Sequence, residues 1–240
     1  MSNRFTQAAS AALPVLSTVL LLACSMAGSR SPAPSPTLIA RRDSFIVRVR
    51  GRDAGFQVHA LEPTADGWRF TDITRIANGP DQLTTVQTDA SGAVRSMHQR
   101  LAIGTMVAES DLTYGNGRIK GMIRLPQPTG KVTDLPIDTV AVAGIVDDNF
   151  YAALIPALPW APAASITLPV FVGGKNETQQ WKFTVQGTES VTVPSGTFDA
   201  YRIGVEGAPS RLTTYVEVAA PHRVLKVTAA GAPFEVLRAN

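Results

Sequence analysis

The sequence predicts a mainly β protein, a single antiparallel meander over residues 41–240 with one short helix near residues 147–156. Three features carry that prediction. From about Arg42, apolar and polar residues alternate with period two, the pattern of strands that bury one face and wet the other. Ile119, Gly121, Ile123 and Leu125 alternate with Arg118, Lys120, Met122 and Arg124, and Trp181, Phe183 and Val185 alternate with Lys182, Thr184 and Gln186. Turn signals recur between such runs, among them Asp66-Gly67, Ser91-Gly92, Gly115-Asn116-Gly117 and Gly231-Ala232-Pro233, which supply the positive φ of tight hairpins. One stretch breaks the alternation. Asp147-Asp148-Asn149 precedes Phe150-Tyr151-Ala152-Ala153-Leu154-Ile155, so an Asp cap opens a short apolar helix that Pro156 and Pro159 end. That helix is expected to cover an open end or face of the sheet.

Two segments precede the meander. Residues 1–23 combine a weakly basic start, an apolar stretch containing Leu13, Val15, Leu16 and Val19 to Leu22, and small Ala23, the pattern of an export signal too short to span a bilayer comfortably. Leu21-Leu22-Ala23-Cys24 resembles a bacterial lipobox. The resemblance implies cleavage before Cys24, acylation of Cys24 with palmitate-type chains, and, since Ser25 is not Asp, sorting to the periplasmic face of the outer membrane. Acyl chains bury methylenes at about 0.8 kcal/mol each, so the anchor is lasting. Residues 24–40 are small, polar and Pro-rich, the composition of a tether, and residues 41–240 are read as one β-rich domain.

Composition narrows the function. Of 240 residues, 45% are hydrophobic and 17% charged, enough for a sizeable core, and the net charge of +3 is too weak to suggest nucleic-acid binding. The single cysteine excludes an intramolecular disulfide and any Cys-rich metal site.

The most informative run reads Trp181-Lys-Phe-Thr-Val-Gln-Gly-Thr-Glu189-Ser-Val-Thr-Val-Pro194-Ser-Gly196-Thr-Phe198. Pro194-Ser195-Gly196 makes a tight turn between two strands, and Phe198 is expected to pack into the core just after it. The run resembles the central motif of exported bacterial proteins grouped as domain of unknown function 3108, with Ser195 in place of the usual Ala. The flanking Leu158-Pro159-Trp160 and Pro221-His222-Arg223 fit the same layout. The resemblance implies a β-rich exported domain, a curved open sheet or half-barrel, and brings no activity and no catalytic residues.

Chemistry is sparse. Glu189 shares a strand face with Val191 and Val193; if half-buried it needs a partner such as Arg202 or Arg223, or else it binds a ligand. His59 is expected on the wetter face with Gln57 and Leu61, His98 with Ser96 and Arg100, and His222 in a turn; none has metal-ligand spacing. Ser195, Asp199 and His222 would make a triad only if a Pro-Ser-Gly turn served as a nucleophile elbow. Glu109 and Asp111 read as a solvated face. The basic residues Arg41, Arg42, Arg48, Arg50 and Arg52 lie next to the tether and read as an ordinary exposed strand face, with contact to anionic head groups as the alternative. The expectation is a membrane-tethered, non-enzymatic envelope lipoprotein that binds an apolar ligand or an envelope partner, without cofactor, metal or catalytic residues. The alternative is an envelope hydrolase or other enzyme using Glu189 or His222.

Overall fold

A computed structural model describes residues 36–127, 129–208 and 211–240. The expected signal peptide, Cys24 and the first part of the tether lie outside the described residues. The strands run in chain order β1 (Arg41–Val49), β2 (Arg52–Thr64), β3 (Gly67–Ile76), β4 (Pro80–Asp89), β5 (Val94–Ile103), β6 (Met106–Gly115), β7 (Arg118–Pro126), β8 (Val132–Val140), β9 (Val146–Asp147), β10 (Ser165–Val172), β11 (Glu177–Val193), β12 (Gly196–Glu206), β13 (Leu212–Glu217), β14 (Val224–Ala229) and β15 (Phe234–Arg238), with one helix, α1 (Tyr151–Leu154). Among the described residues no helix is long and apolar enough to cross a membrane.

All the strands belong to one sheet in the order β8-β7-β6-β5-β4-β3-β2-β1-β15-β14-β13-β12-β11-β10-β9. Two runs of hairpins are joined where β1 pairs with β15, Phe45 opposite Arg238 and Val47 opposite Val236. The sheet is curved but not closed, and the two-residue parallel pairing of β9 with β10 makes it mixed. The free edge strand β8 carries Asp134, Pro136 and Asp138, residues that discourage edge-to-edge pairing. Close strand contact has a local requirement at Gly121, where a Cβ would fall 1.9 Å from the Asp111 carbonyl oxygen.

One face of the sheet surrounds the main core. Phe45, Phe70, Val86, Leu112, Ile119, Phe171, Phe183, Ile203 and Val236, drawn from both hairpin runs, meet there. The segment from β9 through α1 covers a face of the sheet, the inner one, and fills the space the curve encloses. Phe150, Ala153, Leu154 and Ile155 are buried in the main core. Phe150 stacks edge-on to Phe70 of β3, Tyr151 to Trp181 of β11, and Arg41 of β1 donates to the Ala153 carbonyl at 2.6 Å. Burial of Phe150 and Ala153 to Ile155 in the core explains why the run carries so few polar side chains. The N-cap is Phe150, without a side-chain cap. Asp147 instead accepts hydrogen bonds from the Asn149 backbone N–H at 2.8 Å and its Nδ2 at 2.9 Å. Pro156 falls in the 3₁₀ turn Ile155–Ala157 that ends the helix. The chain is docked before β1 begins, since Thr37 N–H donates to the Ala157 carbonyl at 2.9 Å.

A second, smaller core lies on the opposite face. Val224 and Val236 point into the main core, so their neighbours Leu225 and Leu237 point away from it. Val191, Val193 and Ala200 cover those two leucines, with Phe198 and Tyr215 at the margin. The register of β11 against β12 shifts between Val185 and Gly187. This bulge lets one strand bury Trp181, Phe183 and Val185 on one side of the sheet and Val191 and Val193 on the other. The turn at Pro194-Ser195-Gly196 is then pinned by Ser195 N–H to the Arg238 carbonyl at 3.3 Å. Phe198 thus packs in the outer cluster and not in the main core.

Candidate functional site

The interior of the sheet is only partly apolar. Along β2 to β5 the inward positions include Gln57, His59, Asp72, Thr74, Gln82, Thr84 and Gln99, and all of these but His59 join into a chain of hydrogen bonds. Asp72 accepts from Gln57 Nε2 at 3.2 Å, Thr74 Oγ1 at 3.0 Å and Gln82 Nε2 at 3.4 Å. Gln82 and Gln99 each donate to Thr84 Oγ1 at 3.1 Å. Gln99 also donates to Asn149 Oδ1 at 2.7 Å, which carries the chain onto the inner segment. Asn149 bonds Asp147 and Asp148, and the Tyr114 hydroxyl donates to Asp147.

Burial controls the charge states here. His59 is pushed down to about 3 by desolvation and by nearby Arg41, so its imidazole is neutral. Burial raises Asp72, against the pull of hydrogen bonds from Gln57 and Thr74. Asp148 is pushed up to about 8 by burial and by the adjacent Asp147, which burial also raises. Tyr151 is pushed up to about 12 by burial and Asp72, and Tyr114 is raised by burial and Asp147.

Beside this chain lies a cavity of about 230 Å³. Phe45, Leu212, Val224, Val227, Phe234 and Val236 form an apolar wall, and Gln57, His59, Asp72, Gln82 and Asn149 line the other side. Two buried polar atoms of its lining, His59 Nε2 and Thr214 Oγ1, have no hydrogen-bond partner among the described residues. Asp72 Oδ1 is 3.8 Å from His59 Nε2, too far for a hydrogen bond.

Apart from His59, the candidate site residues singled out from the sequence fall elsewhere. Glu189 is exposed although it shares strand parity with buried Val191 and Val193, and among the described residues it makes no ion pair with Arg202 or Arg223. It lies against Tyr215, whose phenol is raised first by burial and then by Glu189. Arg202 is half-buried, with its Nε unpartnered among the described residues. His222 Nδ1 bonds the Glu217 carbonyl at 2.8 Å, and Ser195 Oγ is buried with no hydrogen-bond partner among the described residues, so no triad forms. Glu109 faces Arg124, and Asp111 bonds His98 Nδ1 at 2.6 Å on the surface. The described residues contain no cluster of three metal-ligating side chains.

His59 corrects the expected wet face, and Gln57 and Leu61 go with it. All three point inward, while Phe56, the apolar residue that suggested the opposite phase, is 44% exposed on the outer face. Alternation misleads here because the enclosed face is mixed in polarity. The signal that was present is the run of inward-parity amides and hydroxyls on consecutive strands.

A curved, open β-sheet wrapped around its own inner segment, with a part-polar internal cavity, is the class of protein that fold and site define. The chain belongs to the family described as Protein of unknown function (DUF3108), whose model matches residues 44–235. It is also similar to a solved structure, a beta-barrel-like protein of domain of unknown function DUF1849 from Brucella abortus, at 13% identity and a TM-score of 0.46 over 85% of this chain and 96% of that one. No curated protein matches the sequence.

Proposed function

We propose that this protein is a non-enzymatic envelope lipoprotein, anchored through acylated Cys24, that holds a small ligand with an apolar body in its internal cavity. The observation that supports this reading is the pairing of an apolar wall with two unpartnered buried polar atoms, His59 Nε2 and Thr214 Oγ1, around about 230 Å³ of space. An occupant with one hydrogen-bonding end would satisfy groups that otherwise carry a desolvation cost of about 1–3 kcal/mol each. The volume is below the roughly 300–1,000 Å³ of drug-sized sites, so the ligand is small or inserts one end only. An enzyme acting through Glu189 or His222 has less support, because neither residue lines the cavity.

Native mass spectrometry of the full chain purified from its own envelope tests the reading. A bound small mass is expected in the wild type and is expected to be lost in Val227→Phe, which narrows the cavity, with an unchanged circular dichroism spectrum. A wild type that carries no ligand, or a ligand that Val227→Phe retains, overturns it. For the anchor, a processed Cys24→Ser protein that remains on membranes after a high-salt wash would remove the lipoprotein part.

A further inference from the structure

At the end of the sheet where the chain enters β1, a second pocket of about 260 Å³ has the opposite chemistry. Its lining includes Arg41, Arg42, Asp43, His222, Arg223 and Arg238. We infer that this pocket binds a phosphate-type anion, with Arg41 and Arg238 at its floor and Arg42 and Arg223 at its rim. The inference is independent of the ligand proposed for the internal cavity.

The first argument is charge. Arg41 and Arg238 share one carboxylate: Arg238 Nη1 is 2.9 Å and Arg41 Nε 3.4 Å from the Asp43 side chain. The three side chains are only 5%, 16% and 8% exposed for Arg238, Arg41 and Asp43. Two shielded guanidiniums against one carboxylate leave a positive charge without a counter-ion among the described residues, an arrangement that is costly unless something compensates it. Arg41 registers that cost: desolvation lowers its pKa, Asp43 opposes the shift, and Arg238 adds to it. Its guanidinium nevertheless stays protonated, as arginine does in proteins.

The second argument is hydrogen bonding. Arg238 Nη1 is near Asp43 in distance, but its direction of approach gives no hydrogen bond, and the buried atom has no other partner among the described residues. The contact with Asp43 is one of charge, and the hydrogen-bonding capacity of this atom is unused among the described residues. Arg41 spends one donor on the Ala153 carbonyl at 2.6 Å. At the rim, Arg42 and Arg223 are exposed, and among the described residues neither has a carboxylate within salt-bridge distance. Four arginines lining one space suit a tetrahedral oxyanion, which accepts forked hydrogen bonds from more than one side.

The chemistry is that of a phosphate monoester or diester, and two sources carry it: free phosphate compounds and anionic lipid head groups. The pocket lies beside the entry to β1, and a fully extended segment from Cys24 to Arg41 spans at most roughly 60 Å, so an acylated chain keeps this end within reach of a bilayer surface.

The test titrates the full chain, at constant ionic strength balanced with chloride, with inorganic phosphate and separately with glycerophosphoglycerol, the head group of phosphatidylglycerol. Binding is read by isothermal calorimetry and by the midpoint of thermal unfolding. Saturable binding is expected, about tenfold or more weaker in the Arg42→Gln/Arg223→Gln double variant, whose exposed positions leave the core untouched. Preference for the diester assigns a lipid source, and preference for inorganic phosphate a soluble one. Absence of saturable binding to both probes, or equal affinity in the double variant with an unchanged circular dichroism spectrum, overturns the inference.

Discussion

At the tether end of the sheet, Arg41, Asp43 and Arg238 are buried as an ion triad. Deeper in the interior, burial pushes His59, Asp72 and Asp148 each toward its neutral form. The two regions share a sheet and even adjacent positions, since Asp43 lies opposite His59 in the register of β1 and β2. The difference lies in what the neighbours offer. Arginine cannot shed its proton, so burying it demands an anion. Histidine and the carboxylates can discharge themselves, so amides and hydroxyls suffice. One region is therefore short of an anion, while the other needs only hydrogen bonds.

The comparison breaks most visibly at Asp43. Asp43→Ala removes the counter-charge of two shielded guanidiniums and is expected to cost about 3–5 kcal/mol, the usual effect of breaking a buried pair, as read by urea unfolding. A loss below about 1 kcal/mol would mean that water or a bound anion already balances the arginines.

A smaller effect appears with pH. Asp148 has a folded-state pKa near 8 against an ordinary 3.8, so between those values the folded state holds a proton that the unfolded state has released. Stability therefore falls as pH rises through that window, by up to about 1.4 kcal/mol per pH unit. His59 acts oppositely. Its folded pKa near 3 lies below the ordinary 6.5, so the unfolded state binds the extra proton and stability rises with pH between those values. The two slopes oppose each other from pH 3.8 to 6.5; between 6.5 and 8 that of His59 is gone and that of Asp148 continues, alongside any from Asp147, which burial also raises. Denaturation midpoints measured at pH 6.5 and 8 should fall with pH in the wild type and fall less steeply in Asp148→Asn. An unchanged slope in the variant would locate the titrating group elsewhere.

The smallest effect sharpens the contrast with Asp43. Asp72→Asn keeps the shape and one acceptor oxygen of a group that burial already pushes toward neutrality, and is expected to change stability by less than about 1 kcal/mol. A cost similar to that of Asp43→Ala would show that the interior network holds a full charge after all.

Much of the architecture was legible from local pattern. The alternation around residues 118–125 and 181–186 and the turn signals between the strands correspond to the hairpins observed, and the break at residues 147–156 to the helical segment. The Val-Thr-Val-Pro-Ser-Gly motif was recognisable as a turn, but its packing was not. Phe198 and Val191 cover Leu225 and Leu237 on the outer face, which depends on the register shift after Val185 and on strands more than 20 residues downstream. The candidate site was less visible still. His59, Asp72 and Asn149 lie far apart in sequence, on β2, on β3 and on the inner segment, and no local spacing brings them together.

The sequence by itself determined the class of structure and its sequential pairings, because strand alternation and tight turns act over a few residues. Tertiary structure alone decided which face became the interior, since curvature and the pairing of β1 with β15 join residues about 190 positions apart. It also decided the meaning of the polar residues. A strand face of Gln, Thr, His and Asp reads as wet until a sheet closes around it; then each group must find a partner or lose its charge. The same enclosure set two arginines from opposite ends of the meander against one aspartate, a juxtaposition that no segment of the chain encodes alone.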